Sequence, residues 1–193
     1  MLKVMESLAR LMTKRNLEIL EFIARAERSP CIREIAGQIG CSPAKAHQAV
    51  VLFRKEGMVT TEKRKNTLTV QPDRSNALYQ RIKSAININA ILKSKAYRQL
   101  KKQGIISVYG SYAKGTDDHL SDVDLLIVTN EKSGNVIGHA SSLGEELRRE
   151  VRPFRISPEG LRKLERKDEV FSTDLRLTAI GLNGDPFDSE RVF

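Results

Sequence analysis

A chain of 193 residues with 40% apolar content has room for one large core or two small ones. Its 33 Lys and Arg exceed its 24 Asp and Glu, and the imbalance is local: residues 1–103 hold 21 basic and 8 acidic residues (+13), residues 104–193 hold 12 and 16 (−4). Two cysteines exclude a disulfide framework, and the N-terminal segment lacks the uninterrupted apolar run of a signal peptide or membrane span, so a cytoplasmic protein with no membrane partner is expected. The charge split predicts two domains with different partners, and the basic front half suits nucleic acid, although charge alone would equally suit an anionic membrane.

Leu2, Val4, Met5, Leu8, Leu11 and Met12 recur at helical spacing and predict an amphipathic first helix. Thr13 is placed to cap a second, whose apolar face carries Leu17, Ile19, Leu20, Ile23 and Ala24. After the break at Ser29-Pro30, Ile32, Ile35, Ala36 and Ile39 line one face of a helix ended by Gly40. Ser42 is a good N-cap and Pro43 suits the first turn of the helix that runs on to Gly57. Cys31 and Cys41 fall in this apolar pattern without zinc-like spacing, which predicts small buried thiols. Met58 to Thr61 and Thr67 to Val70 flank a basic tip, Lys63, Arg64 and Lys65, with Asn66 at the turn, and predict a hairpin.

Two helices joined by a tight glycine turn, followed by a basic hairpin, resemble a winged helix-turn-helix DNA-binding domain over residues 13–72. The resemblance implies that Ala44, Lys45, His47 and Gln48 face double-stranded DNA while Ala46, Ala49, Val50 and Phe53 face the core. Lys45 suits a guanine edge or a phosphate, and Gln48 suits adenine. Lys63, Arg64 and Lys65 would neutralise phosphates without reading sequence. Val51 and Leu52 stand where such a helix turns a polar face outward, so a cover is expected: the N-terminal helix, the second domain or a partner subunit.

Ser75 is placed to cap a connector helix through Leu78, Ile82, Ala85, Ile86, Asn89 and Ile91 or Leu92, continued by Ala96, Tyr97 and Leu100 to Gly104. The pattern fits one long helix, or two with a bend near Asn87 to Asn89. Lys93, Lys95, Arg98, Lys101 and Lys102 make it strongly basic, which fits a solvated face and nucleic-acid contact equally. A long striped helix between domains is also a common dimerisation surface, so a homodimer is among the expected partners.

The apolar run Ile105 to Tyr109 stops at Gly110-Ser111; a polar loop follows, then Asp122-Val123-Asp124 opens a second run, Leu125 to Val128. This predicts strand, glycine turn, short helix, loop, strand. Alternation on a strand puts Asp122 and Asp124 on one face, where two carboxylates repel unless a cation joins them. Hard oxygen ligands at that spacing suit Mg²⁺ with substrate phosphates. Gly110 allows close backbone approach to a ligand, and Ser111 is placed to cap the short helix, whose N–H groups favour phosphate.

An apolar residue, Gly-Ser, a spacer of about ten residues and Asp-apolar-Asp-apolar resemble the signature of the DNA polymerase beta-like nucleotidyltransferases in their minimal form. In this chain it is Tyr109, Gly110-Ser111, Tyr112 to Ser121, then Asp122-Val123-Asp124-Leu125. The resemblance extends over nearly all of 104–187. It implies that Asp122 and Asp124 are catalytic and hold Mg²⁺, and that Gly110, Ser111 and Lys114 meet a nucleoside triphosphate. Active members carry a third carboxylate on the next strand, here Val151 to Ser157. Arg152 falls at that position, with Glu150 the nearest acid. Asp117 and Asp118 turn the loop or help hold metal, and Tyr109 and Tyr112 fit packing roles.

The expected fold is α+β with two domains. Residues 1–74 would form a winged helix (three helices plus a β-hairpin), 75–103 a helical connector, and 104–193 a nucleotidyltransferase-like α/β domain with a small mixed sheet. Three functions fit: a Mg²⁺-dependent nucleotidyltransferase acting on a hydroxyl acceptor, a DNA-binding regulator whose back domain only binds nucleotide or is a scaffold, or the antitoxin of a toxin–antitoxin pair.

Overall fold

The computed structural model describes residues 8–130 and 135–188, apart from the side chain of Arg64. The chain divides into two compact units, Met1–Ile86 and Asn87–Phe193, each with its own core. Among the described residues no helix is long and apolar enough to cross a membrane.

In the first unit α1 (Lys14–Arg25), α2 (Ile32–Ile39) and α3 (Pro43–Lys55) precede an antiparallel hairpin of β1 (Val59–Arg64) and β2 (Thr67–Pro72). Local chemistry sets the helix starts: Thr13 Oγ1 accepts the Asn16 N–H at 3.3 Å, and Ser42 Oγ accepts the Lys45 N–H at 3.2 Å. Gly40 ends α2 at φ +66°, a left-handed conformation that costs other residues about 1–2 kcal/mol. Ile19, Leu20 and Ile23 of α1, Ile35 of α2 and Val50 and Phe53 of α3 pack with Met58 and Val70.

Leu11 joins this core, while Leu2, Val4 and Met5 lie outside the described residues. Leu52 packs against the core as well, and Val51 remains 41% exposed. The cysteines differ from expectation. Cys31 is the N-cap of α2 and bridges to Thr69, Cys41 follows the end of α2, and both are only half-buried. Helix ends leave side chains partly in solvent, which periodicity alone does not reveal.

The connector begins with α4 (Ala77–Lys93), and the boundary between the units falls inside it: Tyr79 and Ile82 belong to the first core, Ile91 to the second. Asn76, not Ser75, caps it, accepting the Tyr79 N–H at 2.9 Å, because Ser75 is bound to Asp73. The break falls at Ser94, which accepts the Tyr97 N–H at 2.9 Å and starts α5 (Lys95–Leu100). Asn87 does not bend the helix, because its amide is engaged on the buried face.

The second unit contains a mixed four-stranded sheet in the order β5-β4-β3-β6. β3 (Ile105–Tyr109) runs antiparallel to β4 (Val123–Val128) and to β6 (Ile180–Gly181), and β4 runs parallel to β5 (Val151–Ile156). α6 (Gly110–Lys114) follows β3, α7 (Val136–Leu147) joins β4 to β5, and α8 (Pro158–Lys167) and α9 (Glu169–Thr178) precede β6. Val123, Leu125 and Ile127 pack on the face that carries Tyr97 and Leu100 of α5 and Leu143 of α7; Leu126 and Val128 pack on the other with Leu161 and Leu175. Burial on both faces explains the unbroken apolar run of β4. Pro153 is accommodated because β5 is an edge strand.

Candidate nucleotide site

Antiparallel pairing of β3 and β4 sets the end of one strand beside the start of the other, with Tyr109 opposite Asp124. The glycine turn and the acidic pair, more than ten residues apart in sequence, thereby meet. Gly110 has φ +69°, and a Cβ built on it would stand 2.6 Å from Asp124 Oδ2. Only glycine lets that carboxylate lie against the backbone. α6 begins at Gly110 with Tyr109 as its N-cap, so Ser111 sits within the helix and does not cap it. The expected cap fails because the turn puts Gly110, one residue earlier, in the first helical position.

Asp122 immediately precedes β4 and Asp124 is its second residue, both half-buried. They alternate with buried Val123 and share the parity of Leu126 and Val128. Burial pushes the Asp124 carboxyl above the ordinary carboxylate range; Arg152 offsets part of this, and the Asp122 charge adds to it. The Tyr109 phenol is also pushed up, first by burial and then by Asp124.

The parallel β4–β5 pairing puts Arg152 directly beside Asp124. Its Nη1 lies 2.9 Å from Asp122 Oδ2 and its Nε 3.2 Å from Glu150 Oε1. The hydrogen bond to Glu150, then the Asp122 charge, raise the Arg152 pKa further.

The loop into Asp122 is held from behind. Asp117 is buried; its Oδ1 accepts the Asn87 amide at 2.8 Å and its Oδ2 lies 3.3 Å from Arg149 Nη2. Arg149 Nη1 also donates to the carbonyls of Asp118 and, at 2.8 Å, Ser121, while its guanidinium sits 5.7 Å from the Tyr112 ring centroid. Asp118 Oδ1 accepts the Leu120 N–H at 3.0 Å and the Ser121 hydroxyl at 2.8 Å. Both loop acids therefore fold the chain. Sequence reasoning misses Asn87 and Arg149 as site residues. Asn87 leaves a faint signal, an amide on an apolar stripe; Arg149 leaves none.

Lys114 is exposed on α6, its Nζ 3.3 Å from Asp174 on α9. On the first unit Ala44, Lys45, His47 and Gln48 are exposed on α3, between positions whose side chains are buried. Lys63 and Lys65 are exposed at the hairpin tip; the Arg64 side chain lies outside the described residues.

Residues 88–173 match the family model of the nucleotidyltransferase domain. The matched stretch contains Gly110, Ser111, Lys114, Asp122, Asp124 and Arg152. Searches of curated proteins and of solved structures found no match.

The donor set fits a hard divalent cation. Two adjacent carboxylates, one raised by burial and by the other's charge, gain from a shared cation. Mg²⁺ takes one or two such groups together with phosphate oxygens and waters. Among the described residues no group of three or more Asp, Glu, His or Cys gathers as a metal site.

Proposed function

We propose that the second unit binds a nucleoside triphosphate with Mg²⁺ at Asp122 and Asp124 and transfers its nucleoside monophosphate to a hydroxyl acceptor. The observation that carries this reading is the closeness of the Asp124 carboxylate to Gly110, where a Cβ would stand 2.6 Å from Oδ2; it joins a metal-type donor pair to a phosphate-type turn. Bound Mg²⁺ would neutralise phosphate charge. Gly110 lets the Asp124 carboxylate lie close against the turn. Ser111 offers a hydroxyl and Lys114 a cation from α6. Arg152, already beside Asp122, can donate to a phosphate in bidentate fashion. Catalysis would come from positioning and charge compensation. The test is incubation with α-labelled nucleoside triphosphates and Mg²⁺, with and without duplex DNA, following pyrophosphate and labelled product. Transfer is expected in wild type and lost in Asp122→Asn; undiminished turnover in that variant sinks the mechanism.

A second reading has its own observation. Arg152 stands in register beside Asp124, at the position where the family resemblance implies a third carboxylate. This favours a regulator that binds nucleotide without turning it over, and saturable nucleotide binding with no pyrophosphate release would select it.

For the first unit the reading is a winged helix on double-stranded DNA, through Ala44, Lys45, His47 and Gln48 of α3 and the basic hairpin tip. The support is the joint exposure of those α3 residues on a helix whose other face is core. Lys45→Ala is expected to weaken binding to duplex DNA and to reduce its salt dependence; binding insensitive to salt would refute this role for Lys45.

A further inference from the structure

The second unit carries a cationic stripe that the nucleotide site does not use. Lys93 ends α4, Lys95 and Arg98 lie on α5, and Lys101 and Lys102 lie in the turn that closes it; all five are exposed. Carried on at 100° per residue through the closing turn, Lys95, Arg98 and Lys102 fall within roughly 60° of arc over about 10 Å. Ala96, Tyr97 and Leu100 occupy the opposite, buried side.

Some other cations of this unit are ion-paired: Lys114 with Asp174, Arg149 with Asp117, Arg152 with Asp122 and Glu150, Lys163 with Glu159, and Arg176 with Glu165. Among the described residues no carboxylate pairs with any of the five. Glu146, at the start of α5, is engaged otherwise: its two oxygens accept the backbone N–H groups of Lys95 and Ala96, both at 2.9 Å. The stripe gathers all five basic residues of 87–103, a stretch with no acid, whereas residues 104–193 sum to −4. α5 packs on the sheet face of Val123, Leu125 and Ile127, whereas Asp122 and Asp124 have the parity of the other face. The stripe thus lies across the sheet from the acidic pair.

We propose that this stripe is a second nucleic-acid surface, binding the phosphate backbone of duplex DNA without reading its sequence. Duplex DNA presents a negative charge about every 1.7 Å along its axis, so a row of cations about 10 Å long meets several phosphates. The proposal depends neither on catalysis nor on DNA binding by α3.

The experiment uses the full chain and a fluorescent duplex of arbitrary sequence, read by anisotropy across a salt series. In the triple variant Lys95→Gln, Arg98→Gln, Lys102→Gln, affinity is expected to fall about tenfold or more, and the salt slope by about 0.9 for each phosphate no longer neutralised. Nucleotide binding and the melting midpoint stay as in wild type. A control with the same charge change on α8, Arg162→Gln, Arg166→Gln, Lys167→Gln, is expected to weaken binding far less. The proposal is overturned if the stripe variant keeps wild-type affinity and slope, if the α8 control weakens binding as much, or if wild type fails to bind duplex. It is equally overturned if the stripe variant loses binding only to anionic phospholipid vesicles. A Lys45→Ala, Gln48→Ala variant that loses affinity while the stripe variant does not would leave the α3 reading standing and remove this one.

Discussion

Arg152 is the register partner of Asp124 across the parallel β4–β5 pair, and its guanidinium reaches past it to Asp122 at 2.9 Å. A fixed cation thus lies beside the acidic pair.

Replacing that cation should move two affinities in opposite directions. Arg152→Gln removes a positive charge beside the acidic pair, so Mn²⁺ alone is expected to bind about three- to tenfold tighter. A nucleoside triphosphate is expected to bind about tenfold more weakly, having lost a charge-assisted donor. Isothermal titration of each ligand separates the two effects, and a shift of both in one direction would show that Arg152 does not stand between metal and phosphate.

Gly110→Ala combines two penalties. The left-handed backbone costs about 1–2 kcal/mol, and the new methyl would meet Asp124 Oδ2 at 2.6 Å. Chemical denaturation should therefore show a loss of about 1–3 kcal/mol, and nucleotide affinity should fall by about tenfold or more because Asp124 must move. Wild-type affinity in a folded Gly110→Ala protein would separate Asp124 from the binding site.

The Asp124 shift has a definite sign. An acid whose folded-state value lies above its unfolded one holds its proton more tightly when folded. Its contribution to stability therefore falls as pH rises from the ordinary carboxylate range through the raised value. Asp124→Asn removes that loss. Its melting midpoint should exceed that of wild type at neutral pH, with the gain vanishing in acid, where both side chains are neutral. A gain that persists unchanged below the carboxylate range would point to packing instead of charge.

Arg149 is predicted to matter for stability as well as for the site. Arg149→Met leaves Asp117 buried without its ion-pair partner, a change that typically costs about 3–5 kcal/mol. It also frees the Ser121 carbonyl next to Asp122. The double variant Arg149→Met, Asp117→Asn should recover part of the stability, measured by urea unfolding. Absence of recovery would mean that the two side chains are not energetically coupled.

Much of this molecule is written locally. Thr13, Ser42 and Gly40 mark helix ends by their own chemistry, and the alternation at Asp122-Val123-Asp124 sorts acids from core on either side of a strand. These features depend on a few neighbouring residues, so the sequence by itself determined the strand–turn–helix–loop–strand run and the exposed face of α3. The cap at Asn76 in place of Ser75, and the break at Ser94 in place of Asn87, went otherwise because each polar group chose among competing partners, some distant in sequence.

What only the tertiary structure decided is what surrounds Asp124. Pairing of β3 with β4 brings Gly110 against its carboxylate, and pairing of β4 with β5 sets Arg152 beside it. Packing of Asn87 and Arg149 around Asp117 shapes the loop that delivers Asp122. Strand register and a buried ion pair join residues tens of positions apart, and their energies depend on burial and distance. Neither quantity exists until the chain has folded.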